Sequence, residues 1–288
     1  MDLSSTSASV LIPVYNEEGA LAETVAILSE QAARFRDFQI VVIDDGSTDR
    51  TAEIARELSV TFLQHPSNLG YGAALKTGIR HAKFDLIVIA DADGTYPLGD
   101  IPKLVAAMES ADMVIGARTG ANVHVPLVRR PGKWLLTRLA IYLSRQNIPD
   151  LNSGLRVFRK DVALRFLPLY PEGFSFTTTI TLALLTNGFR VKFIPIDYLR
   201  RVGKSSIHPL RDFTNFVILI IRICAFFKPL YVFTPPALAL LLLGIVKGSI
   251  DYTRQGHLGL LGVSMAMTGI QMLFIGLLAD LIDQRMKL

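Results

Sequence analysis

The sequence predicts an α/β domain built on a parallel sheet, followed by a hairpin of two membrane-length helices. Three observations predict it. Short apolar runs alternate with helix-period segments through the first hundred residues, the pattern of strands joined by right-handed helical crossovers. Aspartate- or glycine-rich turns close those runs, and ligands of such sheets bind beyond the carboxyl ends of strands. After Pro229 the chain becomes nearly continuous hydrocarbon.

The elements follow in order. Residues 9–14 read as a strand, followed by the turn Tyr15-Asn16-Glu17-Glu18 and a helix over 21–35. Residues 38–43 form a second strand. It ends in Asp44-Asp45-Gly46-Ser47-Thr48-Asp49, where Ser47 or Thr48 can cap the next helix. A third strand, 60–64, leads through Asn68-Leu69-Gly70-Tyr71-Gly72 into a helix over 73–81, and a fourth, 85–90, ends in Asp91-Ala92-Asp93.

The remaining composition narrows the function. Half of the 288 residues are hydrophobic, and mean hydropathy is +0.38, high for a soluble enzyme of this size. A single cysteine, Cys224, excludes an intrachain disulfide and leaves no basis for a cysteine metal site. An early Asp2 and the lack of a basic-then-apolar leader predict a cytosolic first domain. The formal charge is +5, with basic residues gathered between Arg200 and Lys228 beside the apolar tail. That position points to an anionic membrane surface. No basic groove with interleaved aromatics suggests a nucleic-acid partner.

Residues 230–250 and 258–282 are apolar runs interrupted by Pro235, Pro236 and Lys247, and by Gln271 and Asp280. Each approaches the ~20 residues that cross a bilayer as a helix. The connector, 251–257, makes them a hairpin, and basic flanks on both sides place both chain ends in the cytosol. Before the hairpin, Phe213, Phe216, Val217, Ile220, Ile221 and Cys224 recur at helical spacing, with Arg211, Arg222 and Lys228 nearby. This predicts a helix in the membrane interface; a core helix of the first domain is the alternative. The expected division is a cytosolic domain at 1–207, an interfacial helix at 208–229 and the hairpin at 230–288.

Asp91 and Asp93, two apart beyond a strand end, offer hard oxygen ligands for a divalent ion such as Mg²⁺ or Mn²⁺. Such an ion bridges a diphosphate and acts as a Lewis acid on the leaving group. Neither a P-loop nor a complete dinucleotide fingerprint is present, so kinase-like and dehydrogenase-like readings lose support.

The segments SVLIPVYNEEG, VVIDDGSTDRT, NLGYGAALKTGI and DADGTYP, in this order and spacing, resemble family 2 glycosyltransferases. Within that family they resemble the polyprenyl-phosphate glycosyltransferases, relatives of dolichol-phosphate mannose synthase, over about residues 8–207. The resemblance extends to the interfacial helix and two-helix tail of membrane-anchored members. It implies a GT-A-type domain that binds a UDP- or GDP-linked sugar. Pro13, Tyr15, Glu17 and Asp44 would line the nucleotide, with Asp45 and Lys76 as neighbours and Asp91, Ala92 and Asp93 at the diphosphate and metal. Thr95 stands where relatives often carry Gln.

On the acceptor side, Gly116-Ala117-Arg118 resembles the family's Gly-Ser-Arg segment, and residues 150–156 resemble its acceptor loop. Arg200 to Ser205 resembles its Arg-x-x-Gly-x-Ser segment, with Ser206 where Lys commonly stands. Arg118, Arg129, Arg130, Ser153, Arg200 and Lys204 would face the acceptor phosphate, a task suited to the bidentate guanidinium. The implied reaction is an inverting attack of a polyprenyl phosphate, undecaprenyl or dolichyl, on the anomeric carbon at the cytosolic membrane face. Asp93, Asp150, Arg118 and Arg200 are the catalytic candidates, Asp150 as base or as a group orienting the acceptor. The bacterial inner membrane, or an equivalent cytosol-facing membrane, is the expected location. Two alternatives remain: a lipid-hydroxyl acceptor, or a non-catalytic nucleotide-sugar-binding subunit. The sequence leaves a homo-oligomer open.

Overall fold

The computed structural model describes residues 2–123, 137–138, 140–142, 144–173, 175–199, 217–218, 220–222, 225–226 and 228–286. Among them, seven strands form one sheet: β1 (Ser7–Val14), β2 (Asp37–Asp44), β3 (Thr61–Gln64), β4 (Leu86–Ile89), β5 (Met113–Val123), β6 (Arg156–Arg159) and β7 (Val191–Tyr198). Their order is β3-β2-β1-β4-β6-β5-β7. The first four strands are parallel, as expected. A wholly parallel sheet is corrected by β6, which runs antiparallel to both β4 and β5. Entering in reverse, β6 needs no helical crossover, and its first residue, Arg156, pairs with Ile89 near the end of β4 and with Ile115 of β5. The loop before β6 therefore lies beside Asp91.

Strands covered on both faces need apolar residues in unbroken runs, which is why β1, β2 and β4 were legible. Leu11, Val41, Ile43, Ile87 and Ile89 form one core under α3 (Tyr71–His81), α5 (Lys160–Arg165) and α6 (Phe176–Thr186). Val10, Ile12, Val14, Val42 and Val88 form the other under α1 (Leu21–Ala32), α2 (Thr51–Glu57) and α4 (Ile101–Ala106). The capping of α2 expected from Ser47 or Thr48 is corrected: Arg50 stands at its N-cap and its side chain makes no capping hydrogen bond. Asp49 accepts from the Thr51 amide at 2.9 Å, while the Ser47 hydroxyl accepts from the Asn16 amide and the Thr48 amide donates to the Asn16 side chain. The first turn, with Asn16 at φ 56°, engages the residues expected to cap.

Two 27-residue helices, α7 (Pro229–Gln255) and α8 (Leu260–Met286), form the hairpin. At 1.5 Å per residue each is about 40 Å long, more than the ~30 Å of bilayer hydrocarbon. The connector is shorter than expected: α7 continues to Gln255, where Gly256 takes φ 72° and its amide caps onto the Tyr252 carbonyl. Small residues form the seam. A Cβ on Gly262 would collide with Gly248 backbone, and one on Gly269 with the Ala237 carbonyl. Gly262, Gly269 and Gly276 recur every seven residues, letting the helix backbones approach closely.

Residues 217–218, 220–222 and 225–226 are helical. Ile220 is buried in the domain core beneath α3 and α6, whereas Ile218, Ile221 and Phe226 are exposed. The segment thus presents apolar side chains both to the domain and outward. Phe213, Phe216 and Cys224 lie outside the described residues.

Candidate active site

Every strand-end turn of the parallel half contributes to one surface. At the end of β1, Pro13 is buried, and beyond it Glu17 is half-buried and Tyr15 is exposed. At the end of β2, the Asp44 carboxylate is fully buried and accepts from the Ser47 amide (3.1 Å) and the Gln64 side chain (3.0 Å). Asp45, expected beside a nucleotide, is buried and turned onto the protein. It accepts from His65 Nδ1 at 2.7 Å, the Leu69 amide at 3.0 Å and the Gly70 amide at 2.7 Å. His65 Nε2 in turn lies 3.0 Å from the Thr77 hydroxyl. This network fixes the loop in which Gly70 adopts φ 107°, a value only glycine reaches without strain. Lys76 lies half-buried on α3.

The fixed loop delivers Tyr71, whose hydroxyl donates to Asp91 Oδ1 at 2.9 Å. Asp93 is buried and accepts at Oδ1 from the Thr95 hydroxyl at 2.6 Å and from its amide at 3.2 Å. Thr95 thus orients Asp93. Asp91 is pushed up to about 6, first by burial and then by the Asp93 charge. Two hard carboxylates whose charges oppose each other at a strand end match a divalent cation in donor chemistry, so these residues fit such a group. Ala92 is buried, and its carbonyl accepts from Thr24 at 3.4 Å.

The loop before β6 joins this pair to the acceptor candidates. Gly154 approaches Asp91 so closely that a Cβ there would strike the carboxylate, and its amide donates to the Tyr96 hydroxyl at 2.7 Å. Buried Ser153 donates its hydroxyl to the Gly116 carbonyl. Asp150, 0% exposed, receives the Arg118 guanidinium from Nε at 2.7 Å and Nη2 at 2.9 Å, with the Arg118 amide at 3.0 Å. Burial, the largest single influence, would lower the Arg118 pKa, but the Asp150 hydrogen bonds and the charges of Tyr96, Asp150 and Tyr198 together outweigh it and raise the pKa above the ordinary range. The same guanidinium lies 5.1 Å from the centre of the Tyr198 ring, itself packed edge-on against Tyr96.

Sequence reasoning did not find Tyr71, Tyr96 or His65, and it took Arg156 as one letter of a loop motif. Arg156 is fully buried and donates to the Thr177 carbonyl at 2.9 Å, the Thr181 hydroxyl at 3.1 Å and the Ser153 carbonyl. Burial lowers its pKa to about 10, and nearby Tyr71, Tyr96, Asp150 and Asp91 resist that fall. It anchors the loop from behind. Arg129, Arg130, Arg200 and Lys204 lie outside the described residues. The chain just before Arg200 is placed: the Leu199 amide donates to the Thr95 carbonyl at 2.9 Å.

Comparison with known proteins shows the family and the fold. The family model "Glycosyl transferase family 2" matches residues 9–166, and "GtrB C-terminal hairpin" matches 228–284. The chain is 28% identical to the dolichyl-phosphate hexose transferase of Haloferax volcanii, over 75% of this chain and 93% of that one. It is also 28% identical to the undecaprenyl-phosphate 4-deoxy-4-formamido-L-arabinose transferase of Edwardsiella ictaluri, over 96% and 88%. Among solved structures, glucosyl-3-phosphoglycerate synthase from Mycobacterium tuberculosis, in complex with Mn²⁺, UDP and phosphoglyceric acid, shares the fold. The TM-score is 0.60 at 17% identity, over 76% of this chain and 78% of that one. With the family 2 model matching over half of the chain and the hairpin model over its apolar tail, the chain belongs to glycosyl transferase family 2 and is a glycosyltransferase.

Proposed function

We propose that the protein transfers a sugar from a nucleotide-sugar to the phosphate of a polyprenyl phosphate at the cytosolic bilayer face, with Asp91 and Asp93 holding a divalent cation. One observation carries this reading: a single loop brings Gly154 against Asp91 and, four residues earlier, clamps Arg118 through Asp150. Donor-side carboxylates and an acceptor-side cation are thereby held in one unit. The relatives named above act, by their names, on dolichyl and undecaprenyl phosphates.

In this reaction a lipid-phosphate oxygen attacks the anomeric carbon. The bond from that carbon to the diphosphate breaks, and its electron pair leaves with the nucleoside diphosphate, inverting the centre. A bound Mg²⁺ or Mn²⁺ supplies Lewis-acid neutralisation of the leaving group. Asp91 and Asp93 hold the diphosphate end of the donor, oriented by Tyr71 and Thr95. Pro13, Tyr15, Glu17, Asp44 and Lys76 form the nucleotide side. Arg118, joined by Arg129, Arg130, Arg200 and Lys204, orients the acceptor phosphate, with Ser153 fixing the loop beneath it. A phosphate monoester is largely ionised at neutral pH, so no strong base is required. Asp150, fully buried and engaged by Arg118, acts as a positioning residue for that guanidinium.

A lipid-hydroxyl acceptor would need a base, and Asp150 would have to fill that role. The two readings separate on an Asp150→Asn variant assayed with polyprenyl phosphate and with diacylglycerol. The proposal predicts transfer to polyprenyl phosphate with a raised KM and a modest loss of kcat. Transfer to diacylglycerol alone, abolished in the variant, would replace it.

A further inference from the structure

At the end of α6 remote from the acceptor loop, a recess of about 410 Å³ is lined by Arg165, Thr186, Asn187, Gly188, Phe189 and Lys228. Two cations and two neutral polar side chains line it, and among the described residues no carboxylate does. Arg165 ends α5 and Lys228 immediately precedes α7, so the recess sits where the domain meets the hairpin. It is distinct from the reaction site. Thr178, near the start of α6, bonds Asn152 of the acceptor loop, whereas Thr186 ends the helix about 12 Å further along.

The junction is packed on its domain side. Tyr231 and Val232, in the first turn of α7, pack against the domain core, and the Arg145 guanidinium lies 4.7 Å over the Tyr231 ring. Exposed Leu164 and Leu169 flank Arg165 along the chain, and exposed Phe226 lies two residues before Lys228. Cations beside exposed apolar side chains at the base of a membrane-length helix match one chemistry: a phosphodiester headgroup carrying acyl chains.

We infer that this recess binds the headgroup of an anionic phospholipid of the host bilayer, separately from the acceptor. The lipid would fix the domain's height and tilt over the membrane by bridging Arg165 on the domain to Lys228 at the hairpin. This inference rests on the reading of α7 as a membrane span.

The test uses the full-length protein, purified in detergent and exchanged into mixed phosphatidylglycerol and phosphatidylcholine. Lipids retained after extensive washing are quantified by mass spectrometry. Wild type is expected to retain phosphatidylglycerol in preference by roughly tenfold, the scale set by two interfacial cations. The Arg165→Gln/Lys228→Gln double variant should lose the preference, and the charge-conserving Arg165→Lys/Lys228→Arg pair should keep it. Arg80→Gln/Lys83→Gln, at cations elsewhere on the domain, should leave it unchanged. An equal preference in the Gln double variant would overturn the inference, as would loss of the preference on adding inorganic phosphate, which would mark a small-anion site. Failure of the underlying membrane reading looks different: the protein would stay soluble without detergent and retain neither lipid.

Discussion

Asp91 and Asp93 stand two residues apart with unequal surroundings, and that inequality sets the first predictions. Asp91 is raised to about 6, by burial first and the Asp93 charge second. The folded, metal-free protein therefore holds this proton more tightly than the unfolded chain does. Its contribution to stability falls as pH rises from about 4 to about 6 and stays lower above that. Asp91→Asn should raise the metal-free melting temperature at pH 7 by roughly 2–4 °C, about 1 kcal/mol, while transfer falls about a hundredfold or more. Scanning calorimetry with and without Mn²⁺ checks this: the cation should raise the Tm of wild type and not that of the variant. Below pH 6, Mn²⁺ affinity should drop by roughly tenfold per pH unit as the proton competes. Tyr71→Phe removes the hydroxyl that orients Asp91. It should weaken Mn²⁺ binding roughly tenfold, the low end for a group that orients a ligand, with Tm nearly unchanged. A titration followed by Mn²⁺ electron paramagnetic resonance measures that directly. The aspartate pair was legible because hard ligands two apart at a strand end make a local pattern. Tyr71, Tyr96 and His65 were not, because their partners lie 20, 58 and 20 residues away in sequence.

Among elements, the loop before β6 carries most of the proposed reading and was the least legible as structure. β6 is four residues with an arginine at each end, Arg156 and Arg159, so no apolar run announces it. Its antiparallel entry is a long-range choice that local periodicity does not encode. Glycine at 154 is required by approach to Asp91. Gly154→Ala should therefore cost roughly a hundredfold in kcat/KM while the far-UV circular dichroism stays native, since only one loop must shift. The hairpin is the opposite case: length and hydropathy mark both helices, and only the connector differs from the sequence, because Tyr252 and Thr253 extend α7 past the apolar run. Its seam was not visible in hydropathy. Gly269→Leu should force the helices apart at Ala237 and Leu241 and lower the melting temperature of the detergent-solubilised protein.

Across the whole molecule, the proposed reaction needs the α/β domain to take a water-soluble donor while the hairpin holds it where a bilayer-bound acceptor can reach the same site. A polyprenyl chain stays in the bilayer, so its phosphate is presented only at headgroup height. α7 and α8, both long and apolar enough to cross a membrane, begin and end on one side as a hairpin. After carbonate extraction the protein should stay in the membrane pellet, and protease added to sealed inside-out vesicles should digest the domain. The measurement that tests the central claim most directly is sugar transfer by the purified protein to polyprenyl phosphate. Radiolabelled UDP- and GDP-sugars are offered singly with Mg²⁺ or Mn²⁺, and label extracted into organic solvent is counted. The account predicts lipid-phase label from one donor, lost with chelator and in Asp93→Asn. Absence of label with every donor, while the nucleotide still binds, would contradict it.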